Sequence, residues 1–276
     1  MFAFIANIFG YLLNFLYNIF NNYGLAIIIF SVLVKLLLLP LTIKQQKTMD
    51  KQGKLQEEMK SLQFKYKNNP EQLNKEMMEM YKRENLSPFS GCLSSIAQLI
   101  LILAVFYMVR SPLTYMRKVD PQVINDYTAK LEQKTNYPEV QIVKEFGSDD
   151  EKVSLNMDFL GLDLSTVPNS NYKDFKSFII PFLYVVSSIV SMKMTLNMQK
   201  KDKVSENADG EEKEESPEDM MQSTNKTMSY MMPVMAFSIS LVAPLGLALY
   251  WLMSNILMIL ERVFLNKLKQ KEEENA

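Results

Sequence analysis

Lys35 stands in the middle of an otherwise uncharged apolar run, residues 24–43, and that run fixes the solvent this chain folds in. A helix needs about 20 mostly apolar residues to cross the hydrocarbon core of a bilayer, where each backbone polar group must find its partner within the segment. Residues 24–43, GLAIIIFSVLVKLLLLPLTI, meet that requirement and are interrupted only by Lys35 and Pro40. Four further apolar blocks follow at 88–109, 176–198, 227–242 and 244–264. The mean hydropathy of −0.06 would suit a soluble protein, but it averages these blocks with densely charged stretches between them. The expected architecture is an all-α membrane protein, a bundle of five transmembrane helices.

Composition removes most chemistry. Without histidine there is no Ser-His-Asp triad, no imidazole acid–base group and no His-based metal site. Cys92 is the single cysteine, so neither an intrachain disulfide nor a multi-cysteine zinc site can form. The eight glycines are scattered and none makes a phosphate-cradling motif. A net charge of −1 offers no general attraction for nucleic acid, and no direct nucleic-acid recognition is expected. The chain therefore reads as a non-enzyme, with no catalytic residue, no metal site and no cofactor.

The segments between the spans each have a character. In residues 1–22, Asn7, Asn14, Asn18 and Asn21 share one helical face, opposite Phe2, Phe15, Leu16 and Ile19. That pattern suits an amphipathic helix lying in the membrane interface. A signal peptide would need a basic start and a small-residue cleavage site, and neither is present. In 44–85 basic residues outnumber acidic ones, and Leu55, Met59, Leu62 and Tyr66 keep a helical stripe that Leu73, Met77 and Met80 continue after a break. Asn69-Pro70-Glu71 at the break is a helix-start signal, so the segment reads as a helical hairpin. Residues 110–175 are a polar segment, 199–225 a strongly acidic loop expected to be disordered, and 265–276 a short tail. Lys44, Lys47, Lys51, Lys200, Lys201, Lys203, Arg262, Lys267, Lys269 and Lys271 fall on one side of the five spans. A smaller basic set falls on the other: Arg110, Arg117, Lys118, Lys173 and Lys176. The positive-inside rule then places the N-terminus and 110–175 outside, and the hairpin, acidic loop and tail in the cytoplasm.

An ammonium at the bilayer centre costs about 2.5–3.5 kcal/mol on insertion scales. The five spans contain no Asp or Glu before Glu261, at the cytoplasmic end of the last. Lys35 is therefore expected to rely on water, polar side chains or a partner from another molecule. Polar side chains recur at helical spacing: Ser31, Lys35 and Thr42; Gly91, Ser94, Ser95 and Gln98; Tyr184, Ser187, Ser188, Ser191 and Thr195; Trp251, Ser254 and Asn255. Single serines on membrane helices serve packing as readily as function, and a lysine can snorkel. Four stripes together with a mid-span lysine instead suggest converging faces around a hydrated, positive cavity. The methionine clusters at 77–80, 192–198 and 220–235 suit adaptable apolar contact as well as ordinary core filling.

With these residues in view, the sequence resembles the YidC branch of the YidC/Oxa family of membrane protein insertases. The resemblance covers 24–109 and 157–268 and lies in IIIFSVLVKLLLLPLT, KQQKTM, EMMEMYKRENLSPFSGCLSSIAQ and APLGLALYWLMSN. It implies a five-helix bundle with a hydrophilic groove that carries a basic residue, usually arginine, on its first core helix. Lys35, five residues before the proline of PLT, takes that position. Ser31 matches a polar groove position, Trp251 an aromatic one and Gln98 a glutamine of the second core helix; Ser188, Ser191 and Asn255 join them from the stripes. The hairpin, through Leu55, Met59, Leu62, Met77 and Met80, would receive substrates.

Three departures accompany the match. Lysine keeps the charge but lacks the bidentate fork of arginine. Segment 110–175 is longer than the usual loop. A large external domain and an N-terminal lipid-acceptor cysteine are both absent, the first as in insertases of single-membrane bacteria. The implied function is energy-independent insertion and assisted folding of new membrane proteins at the bacterial cell membrane. Its partners would be nascent membrane proteins and the lipid bilayer, with the Sec translocon and the ribosome as further candidates. The alternative is a small secondary transporter or channel with Lys35 as an anion site.

Overall fold

The computed structural model describes residues 2–84, 90–132, 134–170, 174–201, 231 and 233–274. Most of the expected acidic loop 199–225 and the start of the span expected at 227–242 lie outside the described residues. The chain divides into two compact units, 1–35 with 104–276, and 36–103. The helices are α1 (Phe2–Phe20), α2 (Tyr23–Lys65), α3 (Pro70–Arg83), α4 (Ser90–Arg110), α5 (Pro121–Lys130), α6 (Pro138–Phe146), α7 (Ile179–Lys201), α8 (Pro233–Val242) and α9 (Leu245–Glu274). Among the described residues, Phe2–Phe20, Tyr23–Thr48, Phe175–Met194 and Leu245–Lys267 are long and apolar enough to cross a membrane, while Leu99–Arg110 and Pro233–Val242 are shorter apolar helices.

Composition changes abruptly at residue 44, but the helix does not. α2 runs through Pro40 to Lys65, because IKQQKTM offers helix formers and no stop signal. In the smaller unit, Asn69 caps α3 by accepting a hydrogen bond from the Gln72 N–H at 3.2 Å, and Pro70 opens the first turn. Leu55 and Met80 are buried there, the Tyr81 hydroxyl lies 3.9 Å from the Met59 sulfur, and Arg83 grips both carboxylate oxygens of Glu58 at 2.6 Å. Met59, Leu62 and Met77 are half-buried.

In the larger unit, α1 packs on a π-helical turn at Leu113–Arg117. Gly10 permits that approach, since a Cβ there would stand 1.9 Å from the Tyr115 carbonyl oxygen. The Lys118 ammonium donates to Asn7 Oδ1 and lies 4.4 Å over the Tyr11 ring. Asn14 is half-buried, with its Oδ1 lacking a hydrogen-bond partner among the described residues, and Leu16 is buried, while Phe4, Ile8, Tyr11, Phe15 and Ile19 form an exposed apolar stripe.

Residues 110–175, polar in sequence, are folded on an apolar core that includes Leu113, Met116, Ile142, Val143, Val153 and Leu164. They include a short antiparallel hairpin, β1 (Asp158–Phe159) with β2 (Leu162–Asp163), closed by Leu160 and Gly161 at φ 56° and 76°. This segment ties down the starts of two long helices. The Tyr23 N–H donates to the Asn156 carbonyl at 2.9 Å, while the N–H groups of Leu245 and Gly246 donate to the carbonyls of Thr166 and Leu164, each at 2.9 Å. These bonds satisfy the helix-end donors that would otherwise be orphaned. They also fix α2 and α9 in axial register, which decides which of their side chains meet.

Candidate functional site

Two helices tethered at their starts bring two opposite charges to one level. Lys35 lies 12 residues into α2 and Glu261 16 residues into α9, about 18 and 24 Å along the respective axes. The Lys35 Nζ stands 2.5 Å from Glu261 Oε2. The expectation that Lys35 would depend on water, polar side chains or another molecule is therefore corrected: its partner is a carboxylate of its own chain. Glu261 lies at the end of its span, and the axial register set by the bonds to residues 156–166 brings it to Lys35.

The pair is asymmetric. The Lys35 side chain keeps 27% of its surface exposed and that of Glu261 only 6%. Glu261 Oε1 is buried and has no hydrogen-bond partner among the described residues. The lysine is thus the reachable member and the glutamate the enclosed one.

A polar seam continues between α7 and α9, which pack along one another. The Asn255 amide donates to Ser188 Oγ at 2.8 Å and to Ser187 Oγ at 3.3 Å. Arg262 Nη1 donates to the Ser191 carbonyl at 3.2 Å and approaches its Oγ at 3.5 Å. The Tyr184 and Trp251 rings stack with centroids 5.9 Å apart. Of the residues expected in a groove, Ser188, Ser191, Trp251 and Asn255 are brought together in this seam. Ser31 is buried one turn from Lys35 with its hydroxyl donated to the Ile27 carbonyl at 2.7 Å, so it is spent on its own helix. Gln98 lies on α4 in the other unit, and its side chain is outside the described ones.

Sequence reasoning missed Glu261 and Arg262 as members of the site, although their helical phase carried the signal. Glu261 follows Ser254 by seven residues and Arg262 follows Asn255 by seven, two turns in each case, so both extend the α9 stripe. Lys35, Glu261 and Arg262 together carry one positive charge in excess. Chemically the arrangement can bind and release an anionic group; among the described residues no group of His, Cys, Asp or Glu could hold a metal ion.

Comparison with known proteins gives a consistent picture. The family described as 60Kd inner membrane protein matches residues 15–273. The chain is 28% identical over 256 residues to a protein of Treponema denticola named membrane protein insertase YidC, covering 92% of this chain and 36% of that one. It is 29% identical over 256 residues to the protein of that name from Chlorobaculum tepidum, covering 93% and 35%. It is 36% identical over 138 residues to the one from Fusobacterium nucleatum, covering 45% and 67%. The chain spans about a third of the length of the first two relatives.

Proposed function

The chain belongs to the 60Kd inner membrane protein family, the family of the YidC insertases, and from that premise we propose that it inserts newly made membrane proteins and assists their folding. It is a multi-pass bacterial membrane protein. The observation that carries the reading is the reachable ammonium of Lys35 inside an apolar helix, beside a serine-rich seam. A charge held at such depth is expensive and is kept where a passing polar group needs it.

In this reading a short hydrophilic tail of the substrate enters partway along the seam, which shortens the apolar thickness it has to cross. Lys35 attracts acidic side chains in that tail, and Ser188, Ser191, Asn255 and Trp251 offer hydrogen-bonding and aromatic contact. The amphipathic hairpin, through Leu55, Met59, Leu62, Met77 and Met80, meets the substrate first; α1 lies along the interface. The N-terminus and 110–175 face outward, the hairpin and tail the cytoplasm. The Sec translocon and the ribosome are candidate partners. Binding stays weak, because a tightly held segment would not leave for the lipid.

The test is reconstitution into protein-free liposomes with a single-span protein bearing an acidic N-tail. Protease protection of the tail that requires this protein, and that falls in Lys35→Ala, supports the reading. Protection indifferent to Lys35 keeps the insertase and removes the charge mechanism. Absence of protection together with anion flux means a transporter or channel.

A further inference from the structure

The partner of Lys35 has a consequence for selectivity, on the premise that the chain is an insertase. We propose that Glu261 is the resident counter-ion of Lys35 and the residue that sets how acidic a substrate tail must be to engage the site. Three observations converge. The pair is close, at 2.5 Å, so the ammonium is compensated in the resting protein. Its glutamate is enclosed and its lysine reachable, so an entering carboxylate meets the ammonium and not the resident acid. Glu261 uses only one oxygen, the other being buried and without a hydrogen-bond partner among the described residues, so the carboxylate is held chiefly by charge.

A lysine ammonium has three donors and no preferred plane. It can therefore share or exchange carboxylates without breaking a rigid geometry. An incoming acid must compete with Glu261, and one acid competes less well than several. The same competition explains release: once the tail has passed, Glu261 reclaims the ammonium. Arg262, the next residue, adds positive charge beside the pair while donating to Ser191, so the exchange leaves the site cationic. Nothing is consumed in this cycle, since one ion pair replaces another.

The experiment uses the full chain in liposomes and a series of single-span substrates with none, one, two or three acidic residues in the N-tail. The parent protein is expected to protect tails in steep proportion to acid number. Glu261→Gln should raise protection of the one-acid tail by about threefold or more and flatten the series, because the ammonium no longer has a competitor. Glu261→Asp, which keeps the charge on a shorter stem, should fall between; it carries the test if the glutamine variant is not recovered folded. A series that superimposes on the parent in both folded variants overturns the proposal.

A second readout does not depend on insertion. A membrane-permeant carbodiimide should join Lys35 to Glu261 as an amide detectable by peptide mass spectrometry. An acidic tail peptide should divert that amide to itself, more so in Glu261→Asp. Capture of the peptide by Lys35 without loss of the internal cross-link overturns the competition. If the parent inserts nothing while the competition holds, the insertase reading fails and the counter-ion stands.

Discussion

Among the described residues of the larger unit two glutamates are buried, and they are held in opposite ways. Glu139, in the first turn of α6, receives the Thr114 N–H at 2.8 Å on one oxygen and the Thr114 hydroxyl at 2.6 Å on the other, with Ser111 and Leu113 close enough to contribute. Glu261 receives one ammonium and leaves its second oxygen without a hydrogen-bond partner among the described residues. The first carboxylate is locked by neutral, directional donors from a neighbouring turn, and no other charge is needed. The second is held by a charge that another acid can also use. A satisfied buried carboxylate fixes a fold, whereas a half-satisfied one facing a reachable cation is suited to exchange.

The largest expected effect tests the exchangeable side. Lys35→Ala leaves the enclosed Glu261 without its ion-pair partner. Removing one member of a fully buried pair costs about 3–5 kcal/mol, and the partial exposure of Lys35 together with the nearby Arg262 places this loss below that range. Thermal unfolding in detergent should show that loss. Insertion of acidic-tailed substrates should fall with it, while Lys35→Arg stays near the parent on both measures. Unchanged melting in the alanine variant would mean that Glu261 finds water as good a partner as Lys35, and the contrast with Glu139 would collapse.

A smaller loss belongs to the locked side. Thr114→Val removes the hydroxyl and keeps the N–H, so Glu139 loses one of its close donors at a cost of about 1–3 kcal/mol. The same melting assay measures it. The acid-number preference should not move; a shift would show that the two carboxylates are coupled through α9.

Glu139 also predicts a pH dependence. Burial raises its pKa above the ordinary glutamate value, and the bonds from Thr114, Leu113 and Ser111 only partly oppose this. The folded state then binds the proton more tightly than the unfolded one. Its contribution is fully present below the unfolded pKa and is lost as pH rises through the folded one. Stability should accordingly fall with rising pH from the ordinary glutamate range upward, and Glu139→Gln should flatten that slope in melting curves taken across the window. A slope of the opposite sign that persists in the glutamine variant would assign the dependence to other groups.

The same contrast explains what could be read without coordinates. Apolar length and period recovered the long helices, and Asn69-Pro70 the start of α3, because these depend on local chemistry. The stripes on α7 and α9 placed Ser188, Ser191, Trp251 and Asn255 on common faces because helical phase is local too. What stayed hidden depends on axial register. Nothing near Lys35 or Glu261 says that residues 156–166 tie the starts of α2 and α9, so the pairing could not be deduced. Residues 110–175 looked like a polar connection because their core residues Leu113, Ile142, Val153 and Leu164 are spread among charges with no sustained period. The span expected at 24–43 is bounded by apolar composition, to which backbone hydrogen bonding is indifferent, so α2 continues past it.

The smallest predicted effect asks whether the polar seam belongs with the exchangeable pair or with the locked one. Asn255→Ala removes the donors to Ser188 and Ser187. Hydrogen bonds between membrane helices average about 0.6 kcal/mol in mutant cycles, because the separated helices also find partners. A double-mutant cycle with Ser188→Ala should return a coupling of that order, with melting shifted slightly and the acid-number series unmoved. A coupling several times larger, together with a flattened series, would mean that Asn255 holds α7 and α9 at the spacing that keeps Lys35 reachable. The seam would then set the acid preference as well as line the path of the tail.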